Sequence, residues 1–195
     1  HKAFGEAMAI LAGDGLLNFA YETAALAFQM EPQNVRVGEA FAVLAKKAGI
    51  YGMVGGQTVD VQTDKGEEIT REKLDFIYRL KTSALIEASM LVGAILAGAS
   101  KEAQDIIAQV AGEIGLAFQI QDDVLDVTST MEVLGKPIGS DEKNNKATYV
   151  TYEGLDKAKE DVERISVTAV ERLSSLPEKN KFLAQLLLSL IQREK

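Results

Sequence analysis

Phe118-Gln119-Ile120-Gln121-Asp122-Asp123-Val124-Leu125-Asp126 places three carboxylates within a turn and a half of a strongly helical segment. At about 100° per residue, Gln119, Asp122 and Asp126 fall on one narrow stripe, with Asp123 slightly to its side. Gly112 and Gly115 extend that stripe toward the N-terminus and leave bare backbone for a close approach. Ile114, Ala117, Ile120 and Val124 occupy the opposite arc and would face a core, with Gln121 the one polar residue badly placed on it. Two like charges about 4 Å apart repel by about 4 kcal/mol at an effective dielectric near 20. Three clustered carboxylates therefore call for free solvation or a bound cation. Oxygen ligands with no Cys, and only His1 as histidine, favour Mg²⁺ over zinc or copper. Mg²⁺ takes one or two protein carboxylates and completes its shell with water and substrate phosphates.

Lysines supply the complementary charge. Lys81 lies seven residues after Leu74, on a stripe of Leu74, Ile77, Tyr78, Leu85, Ala88, Val92 and Ile95 that should face inward. An inward lysine must snorkel outward, pair with an anion, or cost several kcal/mol. Lys136, in Gly135-Lys136-Pro137-Ile138-Gly139, and Lys146 sit beside glycine backbone just after the acidic helix. They read either as solvated loop lysines or as point charges that reach one diphosphate together with Lys81. No Walker-type glycine-lysine loop is present, which argues against a nucleotide P-loop.

The elements that must position these groups are helical. The 195 residues are 47% hydrophobic but only 6% aromatic, rich in Ala, Leu, Glu and Lys, which predicts one all-α bundle over residues 1–195. The sequence predicts helices over about Ala3–Gln29, bent near Gly13-Asp14-Gly15, then Val37–Val59, Arg71–Gly98 and Lys101–Val127. Two more follow over about Tyr152–Leu173 and Pro177–Arg193, with Pro177 at a first helical position. Gly49, Gly52 and Gly56 form a small-residue stripe on the second helix. Residues 61–70 and 128–146 read as loops, with Thr70 an N-cap. The lack of cysteine excludes disulfides and a thiol nucleophile, and a net charge of −8 argues against nucleic acid as partner. Without a signal peptide or a sufficiently long uncharged stretch, the expectation is a soluble, cytoplasmic protein with no membrane span.

At this point the sequence resembles the trans-isoprenyl diphosphate synthases, bacterial farnesyl and geranylgeranyl diphosphate synthases above all. Gly115 to Asp126 is similar to their second aspartate-rich motif, F-Q-x-x-D-D-x-x-D. Leu11-Ala12-Gly13-Asp14, Gly55-Gly56-Gln57-Thr58-Val59-Asp60, Lys81-Thr82, Gly135 to Asp141 and Lys146-Ala147-Thr148-Tyr149 agree in order and spacing. The resemblance implies an isoprenoid-synthase helical bundle and a homodimer. It implies that Lys81, Thr82, Gln119, Lys136 and Lys146 contact an allylic diphosphate. Asp122 would ligate Mg²⁺, Asp123 and Asp126 would act directly or through bound water, and Lys81, Asp122 and Lys136 would carry catalysis. The implied reaction is Mg²⁺-dependent, head-to-tail condensation of isopentenyl diphosphate with an allylic diphosphate. A non-catalytic partner subunit, a terpene cyclase and a plain helical interaction module are the competing readings. The family's first D-D-x-x-D motif has no counterpart here, and His1 resembles the His that ends its R-G-x-P-T-x-H segment. The expectation is a C-terminal portion of a longer synthase, inactive by itself, with one side of a metal site.

Overall fold

The computed structural model describes residues 1–63, 70–129 and 147–191, and among these every regular element is an α-helix. They are α1 Glu6–Met30, α2 Val35–Ala48, α3 Met53–Thr63, α4 Arg71–Lys81, α5 Ser83–Leu96, α6 Lys101–Thr128, α7 Tyr149–Glu153, α8 Leu155–Ser174 and α9 Lys181–Ile191. The fold is all-α, as the composition predicts.

The centre of the bundle is α6, packed against α5 on one side and α8 on the other. Its predicted inward arc is the core: Ile114, Ala117 and Ile120 are wholly buried, and Val124 nearly so. They meet Leu74, Ile77 and Tyr78 of α4, Val162, Ile165 and Ala169 of α8, and Leu187 and Ile191 of α9. Ser100 starts α6 by accepting from the Ala103 N–H, and Thr70 starts α4 by accepting from the Lys73 N–H, as expected of Thr70.

Several predicted helices are interrupted. The second one is two: Gly49 closes α2, and a turn through Gly52 opens α3. A Cβ on Gly52 would lie 1.9 Å from the Lys47 carbonyl oxygen, so only glycine fits this turn. Gly49 and Gly52 thus serve a turn, and of the expected small-residue stripe only Gly56 makes the close helix approach. Arg71–Gly98 also divides, at Thr82, where the Ser83 hydroxyl donates to the Tyr78 carbonyl and intrudes on the helical ladder. Past the break Ser83 and Ala84 are buried, while Leu85, expected inside, is exposed. Gly154, at φ +84°, separates α7 from α8. Pro177 precedes the last helix without entering it; Asn180 caps α9 by accepting from the Leu183 N–H. Conversely, α1 runs unbroken through Gly13-Asp14-Gly15, and α3 continues to Thr63, into the segment expected to be a loop.

Candidate functional site at the Lys81–Thr82 break

Two glycines grip the break from opposite sides. A Cβ on Gly56 of α3 would lie 2.4 Å from the Lys81 backbone nitrogen and 2.7 Å from the Leu80 Cβ. One on Gly115 of α6 would meet the Ser83 Cβ at 2.4 Å. Neither helix could sit so close to the break with any larger residue at those positions.

The contacts on α6 also set a register. Tyr78 bonds Asp123 and Ser83 abuts Gly115, so the α4–α5 rod runs antiparallel to α6. Interpolation puts Lys81 and Thr82 level with the turn that holds Phe118 and Gln119, about one turn from Asp122. Lys81 and Thr82 are thus level along the bundle with Gln119, while the Lys81 side chain itself turns to Asp60 of α3. Lys136 and Lys146, with the Gly135 to Asp141 segment, lie outside the described residues.

Of the three fates open to an inward lysine, Lys81 takes the second. Its ammonium donates to Asp60 Oδ2 of α3 at 2.5 Å, and Asp60 is only 4% exposed. Asp60 lies in a segment that carries the family resemblance, but sequence gave it no role. Its only signal is that an inward Lys81 has pairing with an anion as one of its three fates. An apolar hollow of about 360 Å³, lined by Met53, Val54, Gln57, Thr58, Val61 and Gln62, lies on another side of α3 from buried Gly56, Asp60 and Thr63. It is therefore separate from this ion pair.

The three aspartates differ in setting. Asp122 is half-buried and Asp126 buried. Asp123 Oδ2 accepts both the Tyr78 hydroxyl and the Tyr149 N–H, the latter at 2.7 Å. Tyr149 opens α7 behind a Thr148–Thr151 capping box. Its phenol donates to Asp161 Oδ2 at 3.0 Å, and the Arg71 guanidinium lies 4.6 Å above its ring. Burial pushes the Tyr149 phenol up, so it stays protonated and able to donate. Asp161 also accepts from Arg164 at 2.7 Å and Lys157 at 3.1 Å, and Arg164 foremost holds its carboxyl down at about 2.

The donor set suits Mg²⁺ in kind: carboxylate oxygens, no thiol, and no histidine beyond His1. Among the described residues no group of three or more Asp, Glu, His or Cys side chains converges closely enough to hold a metal by itself. No helix of the described residues is long and apolar enough to cross a membrane.

Known proteins resemble this chain in both sequence and fold. Farnesyl diphosphate synthase of Geobacillus stearothermophilus is 44% identical over 161 residues, 82% of this chain and 54% of that protein. Geranylgeranyl diphosphate synthase of Cyanophora paradoxa is 42% identical over 173 residues, 89% of this chain and 57% of that one. The chain thus spans little more than half the length of these relatives. Among solved structures, geranyltransferase from Helicobacter pylori complexed with magnesium and isoprenyl diphosphate superposes with a TM-score of 0.82 at 28% identity. That match covers 98% of this chain and 61% of the other. The polyprenyl synthetase family model matches residues 1–186, from α1 into α9, and the chain belongs to that family.

Proposed function

We propose that the protein containing this chain joins isopentenyl diphosphate head to tail to an allylic diphosphate, giving a short-chain prenyl diphosphate and free diphosphate. The observation that carries this reading is the inward Lys81 at the α4–α5 break, its ammonium paired with buried Asp60, on a segment that meets aspartate-bearing α6 through Tyr78 and Ser83. A cation and carboxylates on adjoining helices, beside an apolar bundle, suit a polyanionic head with a hydrocarbon tail. The relatives are named for such products, and the H. pylori geranyltransferase was captured with magnesium and isoprenyl diphosphate.

In this reading Lys81 and Thr82 bind the allylic diphosphate at the α4–α5 break, with Gln119 level with them on α6. Lys136 and Lys146 add two further charges from the segment between α6 and α7. Asp122 and Asp126 hold Mg²⁺, which when bound neutralises charge on the leaving diphosphate. As the allylic C–O bond breaks, its electron pair stays on the diphosphate, and the Lys81 ammonium stabilises that growing charge. The isopentenyl double bond then attacks the allylic carbon, and loss of a proton restores a double bond in the product.

Lys81 tests the reading, with one adjustment that the structure imposes. Lys81→Ala alone strands the buried Asp60 carboxylate and costs stability of its own. The informative variant is therefore Lys81→Ala with Asp60→Asn, made in the full-length protein. Its affinity for allylic diphosphate, by calorimetry, should fall about ten- to a hundredfold, with helical circular dichroism unchanged. Wild-type affinity in that variant would remove Lys81 from the site and the proposal with it.

A further inference from the structure

Asp123 Oδ2 takes donors from two other elements on one atom. The Tyr78 hydroxyl reaches it from α4 and the Tyr149 N–H from the start of α7, with that same N–H 3.1 Å from the Tyr78 oxygen. Both tyrosines are buried, at 6% and 5% exposure. The N–H cannot rotate away, because Tyr149 is also fixed through its phenol by Asp161 and through its ring by Arg71. A cation at about 2.1 Å from Oδ2 would compete with two donors carried by buried residues.

We propose that Asp123 is a positioning residue, which through Oδ2 fastens α4 and α7 to the aspartate-bearing helix and so fixes Lys81 relative to Asp122. The lever is short. Lys81 lies one turn beyond Tyr78 on α4, and Asp122 is the residue before Asp123 on α6. A shift of the Tyr78–Asp123 bond therefore passes directly into the separation of the cation and the carboxylate used by the reaction. This inference rests on the proposed function for what is being positioned, but the junction itself can be measured without it.

The experiment uses the full-length protein with Tyr78→Phe, Asp123→Asn and Asp123→Ala. Two quantities are read: hydrogen-exchange protection of the Tyr149 amide, and calorimetric affinity for inorganic diphosphate with Mg²⁺. Asparagine keeps a carbonyl acceptor for both donors, whereas alanine keeps none. Asp123→Asn should therefore retain at least about tenfold more affinity than Asp123→Ala, and keep most of the amide protection. Tyr78→Phe, which removes a donor but changes no formal charge, should lower affinity about three- to tenfold with helical circular dichroism intact. An Asp123→Asn protein as deficient as Asp123→Ala, with the Tyr149 amide still protected, would show that the charge matters and overturn the proposal. Tyr78→Phe with wild-type affinity and protection would overturn it too. If Asp123→Ala does not fold, the other two variants decide. Should the wild type bind no Mg²⁺–diphosphate, the proposed function fails while amide protection still tests the junction.

Discussion

Glycines of one sequence type have opposite consequences here, depending on what stands in front of them. A methyl group at Gly56 would collide with the backbone of Lys81, whereas one at Gly112 meets nothing within 4 Å. Gly56→Ala should therefore push α3 from α4, disturb the Lys81–Asp60 pair and cost about 1–3 kcal/mol. Gly112→Ala should gain about 0.5–1 kcal/mol from helix propensity alone. Thermal melts of the two variants, with shifts of opposite sign, check the difference; equal shifts would contradict it. The same contrast shows what could be read from sequence at the site. Helical periodicity located the buried arc of α6 and the bare backbone at Gly115, because both follow from geometry within one helix. It could not separate Gly112 from Gly115, since the partner Ser83 is contributed by another helix. Asp60 was invisible for the same reason, although pairing with an anion was one of the three fates open to an inward Lys81. The slight offset of Asp123 from the stripe has its meaning in Tyr78, which faces it from α4.

Helix breaks were less legible than helices. The cores of α4 and α6 and the caps at Thr70 and Ser100 follow local rules, which sequence displays. The division at Thr82 follows from a serine hydroxyl taking the Tyr78 carbonyl, and serine is equally at home inside a helix. At Gly154 the positive φ marks the break, yet glycine alone did not distinguish a turn there from the uninterrupted passage at Gly13 and Gly15. The start of α8 carries its own electrostatic anchor in Asp161, which binds Arg164, Lys157 and the Tyr149 phenol. Its folded pKa of about 2 lies below the ordinary 3.8, so the folded state prefers the charged form. The stabilisation is thus present above about pH 4 and lost as pH falls toward 2. Asp161→Asn should destabilise by about 1–2 kcal/mol at pH 7, discounted for the exposed arginine and lysine partners. The gap to wild type should close between pH 4 and pH 2. Denaturant melts across that range check it, and a gap independent of pH would assign the loss to packing.

At the scale of the molecule, α1 is the anomaly. A helix apolar on nearly all sides is expected to be buried, yet this 25-residue helix has no buried residue. Its second half touches α2 through Tyr21 and Phe28 against Phe41, at ring separations of 6.1 and 5.5 Å. Residues 1–20 are exposed throughout, including Phe4, Ile10, Leu11, Leu16 and Phe19, each more than 60% accessible. So much contiguous apolar surface exceeds what soluble monomers ordinarily leave in water. Residues 1–195 expressed alone should therefore self-associate through the exposed apolar face of α1. Because the drive is hydrophobic, association should weaken on cooling and respond little to ionic strength. Replacing Leu16 and Phe19 by Glu should shift the species toward monomer without loss of helicity, since neither side chain supports the α6 core. Sedimentation velocity over a range of concentrations reads both results. A monomer at every concentration would mean that α1 folds back over its own bundle in solution.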